Sequence, residues 1–223
     1  MKVSFYLFFL SFVYSLNCYG QLSIFPTWNK KPLELQHVYL NQNNGSISFS
    51  TLKIYFSDFH FKDKISGRIT SIDTLIFYDL ADSSTHSFFN DLNLSNYESV
   101  AFTLGLDSSK NVSGELENAY DPLLGMYWAW NSGYINYKIE GSSSYVLNED
   151  RKFEFHVGGY ISPYATVRQI CITLYSEDII LNIDLSKVME PNLLNDTPSI
   201  TIPGKNANAF ANGFKESFYQ TVP

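Results

Sequence analysis

Residues 46–61 read SISFSTLKIYFSDFHF, and this stretch decides the class of fold. Apolar side chains recur at every second position, first at Ile47 and Phe49 and then at Leu52, Ile54 and Phe56. Because side chains two residues apart in a β-strand point to the same face, this period indicates a strand with one face in a hydrophobic core. The stretch is therefore predicted to be a long strand of a β-sheet.

The same period of two returns in later segments, at residues 100–106, 153–157 and 170–174. Many short strands with almost no helix predict an all-β fold, a two-sheet antiparallel β-sandwich. Only the segment from Lys205 to Tyr219 has apolar residues at helical spacing, which predicts one short C-terminal helix. Residues 107–121, rich in Ser, Asn and Gly, are expected to form a long loop with little structure of its own.

The first 20 residues have the pattern of a secretory signal peptide. Lys2 precedes an apolar run from Val3 to Val13, and the run is followed by Cys18 and a small residue, Gly20. We therefore expect cleavage before Gln21, a mature domain over residues 21–223, and a periplasmic or secreted location. A retained anchor and a lipid-modified Cys18 are the alternatives, although Asn17 is a poor lipobox residue.

Composition excludes several classes of partner and reaction. The formal net charge is −7 and there is no basic run, which argues against nucleic acid and anionic membranes as partners. The motifs of nucleophile elbows, zinc proteases, P-loops and redox Cys pairs are absent, so we expect no enzymatic activity. A glycosidase-type pair of carboxylates stays open, since two such groups need only meet in space. The acidic residues of the long loop lack a calcium-binding pattern and are expected to be solvated.

Cysteine usage gives one further expectation. Only Cys171 remains after the signal peptide, so the mature chain has no internal disulfide. Because it lies in the apolar segment RQICITL, Cys171 is expected to be a buried, inert thiol.

Aromatic residues concentrate between Asp121 and Tyr160, where two of the three tryptophans and one of the four histidines lie. Trp128 and Trp130 would share one face of a strand, and core packing is the favoured interpretation of the pair. In FEFHVGG, Glu154 and His156 lie opposite the apolar residues and should point outward or into a cleft. Imidazole is the commonest metal ligand in proteins, so His156 is either a metal ligand or a plain surface histidine.

Five segments occur in an order that resembles the methanobactin-associated periplasmic protein family, called MbnP-like. They are KPLELQHVY, SFSTLKIYFSDFHF, VAFTLGLDSSKNVSG, LENAYDPLLGMYWAWNSGYINYKIEG and FEFHVGGY, and together they span most of the mature chain. The resemblance implies an exported β-sandwich without enzymatic activity whose characterised relatives bind copper. In those relatives a tryptophan can be oxidised to kynurenine by a partner di-haem enzyme and then ligates the metal beside histidines.

By this resemblance, His156 matches the strand histidine of the family and Trp128 matches the tryptophan that is modified. Trp130 occupies a position where some relatives have a second histidine. The predicted copper ligands are therefore His156, Trp128 and, as the third, His37, with His60 and His86 as further candidates. The competing hypothesis is an extracytoplasmic module that binds a peptide or glycan through its Tyr and Trp surface.

Overall fold

A computed structural model describes residues 21–40, 45–130, 133–175 and 179–221. The signal peptide predicted for residues 1–20, with Cys18, lies outside the described residues. The strands in the described part are β1 (Leu22–Trp28), β2 (Lys31–Pro32), β3 (Val38–Leu40), β4 (Ser46–Asp63), β5 (Ile69–Asp79), β6 (Ser87–Phe88), β7 (Tyr97–Leu104), β8 (Tyr127–Trp128), β9 (Gly133–Ser143), β10 (Lys152–Gly158), β11 (Arg168–Thr173), β12 (Ile179–Asp184), β13 (Ser199–Ile200) and β14 (Phe218–Gln220). The helices are α1 (Ser108–Asn111), α2 (Pro191–Asp196) and α3 (Lys205–Lys215), and single 3-10 turns lie at Ser83–Thr85, Leu94–Asn96, Asn118–Tyr120, Pro122–Leu124 and Leu185–Lys187.

These strands form two sheets, which confirms the predicted β-sandwich. The larger sheet has nine described strands in the order β11-β7-β4-β9-β10-β13, with β3 and β5 also paired to β4 and β8 paired to β9. The smaller sheet has the order β14-β12-β1-β2, and β6 also pairs with β1. Pairing is antiparallel except for two parallel pairs, β1 with β12 and β10 with β13. Among the described residues, no helix is long and apolar enough to cross a membrane.

The main core lies between the two sheets and under α3. Phe56 and Phe59 of β4 both pack against Phe102 of β7, with ring centroids 5.7 and 5.5 Å apart. The helix buries Ala207, Phe210, Ala211 and Phe214, and the ring of Phe214 stacks on Tyr137 of β9 at 4.7 Å. The predicted C-terminal helix is thus confirmed, although it ends at Lys215.

Two irregularities in β4 explain its sequence pattern. The pairing register shifts between Phe49 and Thr51 and again between Ser57 and Phe59. Asp58, within the second shift, has a φ of +53°. A β-bulge adds one residue to a strand, and so it changes which later side chains face the core. This is why Phe56 and Phe59 both point inward although they are three residues apart.

The opposite face of the larger sheet carries a second, smaller core. We call it the outer core; it consists of Tyr55, Leu106, Met126, Trp128, Tyr134 and Ile135. The segment from residue 106 to 126 covers it. Tyr55 Oη donates to Ala119 O at 2.6 Å, and Tyr134 Oη donates to Glu115 O at 2.7 Å. The expectation that residues 107–121 have little structure of their own is wrong, because they contain α1 and the 3-10 turn at Asn118–Tyr120.

Acidic residues of this segment also act locally. Asp107 accepts a hydrogen bond from Lys110 N and caps α1, and Asp121 accepts one from Leu123 N and caps the turn at Pro122–Leu124. These carboxylates serve the backbone, as capping residues do. Their contacts give no support to a calcium site.

Lys110 fastens the covering segment to the sheet. Its Nζ lies 2.6 Å from Asp58 Oδ1 and 2.6 Å from Asp73 Oδ1, and its side chain is 12% exposed. Burial alone would lower the pKa of the ammonium group, but the hydrogen bonds to Asp58 and Asp73 outweigh burial and raise the pKa. Lys110 is therefore charged, and it ties α1 to the bulge of β4 and to β5.

Cys171 is exposed, contrary to the expectation of a buried thiol. On β11 the buried residue is Ile170, and Gln169, Cys171 and Thr173 share the opposite face. The apolar neighbours Ile170 and Ile172 point to the face of the sheet opposite Cys171, because side chains alternate along a strand. Applied strictly, this alternation predicts that Cys171 is exposed.

Replacing Lys110 with Met should destabilise the fold by roughly 2 kcal/mol, because Asp58 would remain partly buried without its counter-ion. Asp73 is 84% exposed and should contribute little to the loss. Urea denaturation measures the change. The matched control is Lys62→Met, which removes an exposed ion pair with Glu98 and should hardly move the midpoint. Equal shifts for both variants would contradict a fastening role for Lys110.

Candidate functional site

His156 lies on the face of the sheet that the sequence predicts. Phe153, Phe155 and Val157 are buried in the main core. His156 points to the outer face, where its strand partner on β9 is Lys138, and its side chain is 18% exposed. The prediction that the histidine lies opposite the phenylalanines is confirmed.

A carboxylate that sequence reasoning missed binds this histidine. Nε2 of His156 lies 2.7 Å from Oε1 of Glu140. The other oxygen of Glu140 accepts a hydrogen bond from Thr51 Oγ1 at 2.8 Å, and Lys138 Nζ lies 3.3 Å from Oε1. We call Thr51, Lys138, Glu140 and His156 the polar group. No local signal pairs Glu140 with His156, because that pairing depends on the register between two strands.

Glu140 is ionised at neutral pH. The hydrogen bond from His156 is the largest cause that lowers the pKa of its carboxyl, to about 2. Burial opposes this shift, while the bond from Thr51 and the charge of Lys138 add to it. The outer face therefore carries a carboxylate that is paired with Lys138 and lies beside the imidazole of His156.

Trp128 belongs to the outer core and is 5% exposed. Its short strand pairs with the start of β9, with Trp128 opposite Gly133. A Cβ added at Gly158 would lie 2.9 Å from the six-membered ring of Trp128. The ring therefore rests on Gly158 itself, where a side chain would otherwise project.

Trp128 therefore packs against β10, the strand that carries His156. Gly158 follows His156 by two residues on β10, and the pairing of β10 with β9 shifts between Val157 and Gly158. Two of the three predicted ligands thus lie on or against the same strand. The core interpretation of Trp128 is also confirmed.

Trp130 differs from this expectation, because it is 64% exposed. Strand β8 ends at Trp128, and residues 129–130 form a turn, so the period-two inference no longer applies. The rings of Trp128 and Trp130 remain in contact, with centroids 5.8 Å apart.

The other histidines lie elsewhere. His37 is exposed and contacts the ring of Tyr39 at 4.6 Å. The following residue, Val38, pairs with Ser48, whereas Lys138 beside His156 pairs with Lys53. Five residues of strand separate these positions, roughly 15 Å. The structure does not bring His37 to the site.

His60 and His86 have partners of their own. His60 Nδ1 lies 2.8 Å from Ser71 Oγ, and His86 stacks on Tyr78 with Nε2 3.0 Å from Asp79 O. In the described ranges, no group of three or more His, Cys, Asp or Glu side chains is arranged to hold a metal.

A pocket of about 220 Å³ opens beside Trp128. Aromatic and apolar side chains dominate its wall, among them Trp128, Tyr134, Tyr160, Ile161, Tyr164 and Pro203. Sequence reasoning missed Tyr160, Tyr164 and Pro203. The available signal was the Gly158-Gly159 pair: Gly159 has a φ of +117°, which favours glycine, and the chain turns there toward Pro203.

The chain is similar to known proteins both in sequence and in fold. A family model described as MbnP matches residues 19–203 of the sequence. The chain belongs to the MbnP family. Among solved structures, MbnP from Methylosinus trichosporium is similar, with a TM-score of 0.53, 15% sequence identity and coverage of 76% of each chain. At this identity the structural likeness shows the MbnP fold alone. No curated protein matches the sequence significantly.

The contact between Trp128 and Gly158 can be tested by Gly158→Ala. The added methyl would lie 2.9 Å from the indole and 2.5 Å from Tyr134 O, so either the ring or the strand must move. Overpacking of this kind costs about 1–3 kcal/mol. Denaturation with tryptophan fluorescence measures both effects. Gly213→Ala is the control, since its methyl would meet only Val188, at 3.5 Å, within a helix. Wild-type behaviour of Gly158→Ala would contradict the contact.

The ionised Glu140 predicts a pH dependence of stability. Its pKa is about 2 in the folded chain against an ordinary value of 4.5, so its contribution is complete above 4.5 and is lost as the pH falls toward 2. Between pH 5 and pH 3 the wild type should lose about 2 kcal/mol more than Glu140→Gln. Chemical denaturation at the two pH values measures this difference. The control Glu154→Gln, on the same face, should follow the wild type.

Proposed function

We propose that this MbnP-family protein is exported and holds one copper ion on the outer face of its larger sheet. His156 is the imidazole ligand and Trp128 lies beside the metal. The observation that supports this most is the packing of the Trp128 ring on Gly158, two residues along β10 from His156. The protein retains the metal and does not catalyse a reaction.

The donor set fits copper in one form. His156 supplies a nitrogen donor, whereas an intact indole is a poor donor. Oxidation of Trp128 to kynurenine would create a carbonyl oxygen and an aromatic amine at the same place. Copper accepts imidazole and oxygen ligands together with water, so a site with few protein ligands is chemically reasonable. His37 lies too far along the sheet to complete it.

The surrounding residues would prepare such a site. The outer core packs against Trp128 and shields that side of the ring from water. Lys138 Nζ donates a hydrogen bond to Gly125 O at 3.4 Å and so contacts the segment that leads to β8. Glu140 pairs with Lys138 and binds His156, so it orients the imidazole. These groups bind, orient and exclude water without themselves reacting.

A partner di-haem enzyme is the proposed agent of Trp128 oxidation. Trp128 is 5% exposed, but it lines the aromatic pocket and touches the exposed Trp130. An oxidising partner would therefore approach at this end of the sheet.

Export is part of the same proposal. Strand β1 begins at Leu22, which is 1% exposed, directly after the expected cleavage site. A periplasmic or secreted protein starting near Gln21 would thus have its first core residue at once. The signal-peptide pattern of residues 1–20 supports this location.

The pocket beside Trp128 supports a second candidate, a module that binds a peptide or glycan. Two residues of its wall, Ile161 and Tyr164, are exposed apolar side chains, and the exposed Trp130 contacts the ring of Trp128. Aromatic rings of this kind bind prolines and sugar rings through their faces. In that case copper would be absent from the purified protein and from protein dialysed against copper.

Copper retention by variants tests the main proposal. Wild-type protein in which Trp128 has been oxidised should keep a stoichiometric amount of copper after loading and dialysis, and His156→Gln treated in the same way should lose most of it, because the imidazole donor is gone. His60→Gln, whose histidine bonds Ser71 elsewhere on the sheet, should keep it. Elemental analysis measures the metal, and circular dichroism checks the fold.

Trp128→Phe should lower copper occupancy only where intact-mass analysis of the wild type shows an added oxygen and a lost carbon. Full occupancy in His156→Gln would show that the ligand assignment is wrong. No copper in any variant, with binding of a proline-rich peptide or an oligosaccharide, would favour the second candidate.

A further inference from the structure

We infer that Glu140 is a positioning residue that holds His156 in the Nε2–H tautomer and so leaves Nδ1 as the metal-binding nitrogen. The tautomer follows from the hydrogen bonds of the chain itself. The step from tautomer to metal rests on the proposed function.

The direction of the hydrogen bond follows from the partners of Glu140. Thr51 Oγ1 donates to one of its oxygens, and the ammonium of Lys138 lies 3.3 Å from the other. A carboxylate that receives two donors of this kind accepts and does not donate. The third partner, His156 Nε2 at 2.7 Å, must therefore carry the hydrogen.

Three adjacent strands hold this arrangement in place. Thr51 lies on β4 directly opposite Glu140 on β9, and His156 on β10 lies directly opposite Lys138. Because neighbouring strands of one sheet cannot move independently, the carboxylate and the ring are fixed before any ligand arrives. The partner of a ligating histidine commonly sets its tautomer and orientation in metal sites.

The assignment has a chemical consequence. Nδ1 is the ring nitrogen next to the Cβ branch, so a metal on Nδ1 lies nearer to the backbone of β10 than a metal on Nε2 would. Binding through Nε2 would break the bond to Glu140. Glu140 would thus contact the imidazole and not the metal, and it would affect metal binding only through His156.

Metal-free protein labelled with ¹⁵N provides the first test. Long-range ¹H–¹⁵N correlation, recorded at a pH where the ring is neutral, should show the hydrogen of His156 on Nε2 and none on Nδ1. Glu140→Ala should populate the other tautomer. Glu154→Ala, the matched acidic residue on the same face of β10, should leave the pattern unchanged. A neutral ring with its hydrogen on Nδ1 in the wild type would overturn the inference even if Glu140→Ala fails to fold.

Titration with Cu(I), which is diamagnetic, provides the second test. The Nδ1 resonance should shift while Nε2 stays protonated, and Glu140→Ala should bind copper about 10–100-fold more weakly. A shift at Nε2 with loss of its proton would overturn the inference and leave the copper proposal intact. An unshifted His156 with copper bound elsewhere would overturn the copper proposal, while the tautomer assignment would stand.

Discussion

Burial of both faces of β4 is the constraint on which the structure depends. Its inward residues build the main core, and Tyr55 on the other face belongs to the outer core. A sheet in a simple sandwich leaves its outer face to water, but here residues 106–126 cover part of that face. Covering is favourable because buried tyrosine hydroxyls bond the carbonyls of the segment, so that these polar groups are not left without partners.

The covering segment divides the outer face into two environments. One is aromatic and dry, around Trp128 and Tyr134, and the other is the polar group around Glu140 and His156. His156 belongs to the polar group and lies two residues along β10 from Gly158, on which Trp128 packs. The carboxylate of Glu140 is paired with Lys138, so its effect on His156 is mainly to fix the orientation of the imidazole.

Much of this fold is predictable from the chain. Period-two alternation predicted β4, β7, β10 and β11 and the outward direction of His156, and helical spacing predicted α3. The conformation of residues 106–126 was not predictable, because it depends on hydrogen bonds from tyrosines far away in sequence. The exposure of Trp130 was missed for another reason: β8 ends at Trp128, two residues earlier than expected, and the turn that follows changes the direction of the next side chains.

The site was predictable in part for the same reasons. The alternation within FEFHVGG indicates the face on which His156 lies, but its partner Glu140 depends on the register of β9 with β10. Register also decides against His37, since β3 pairs with the far end of β4. Matching single residues to a family therefore suggests candidate ligands one by one. The strand order and register of the sheet decide which of these residues lie close together.

The most direct measurement is a crystal structure of the copper-loaded protein with anomalous diffraction data at the copper edge. The account predicts a single strong peak on the outer face of the larger sheet, within bonding distance of His156 and next to residue 128. A peak at His37, or at any position away from β10, would contradict it.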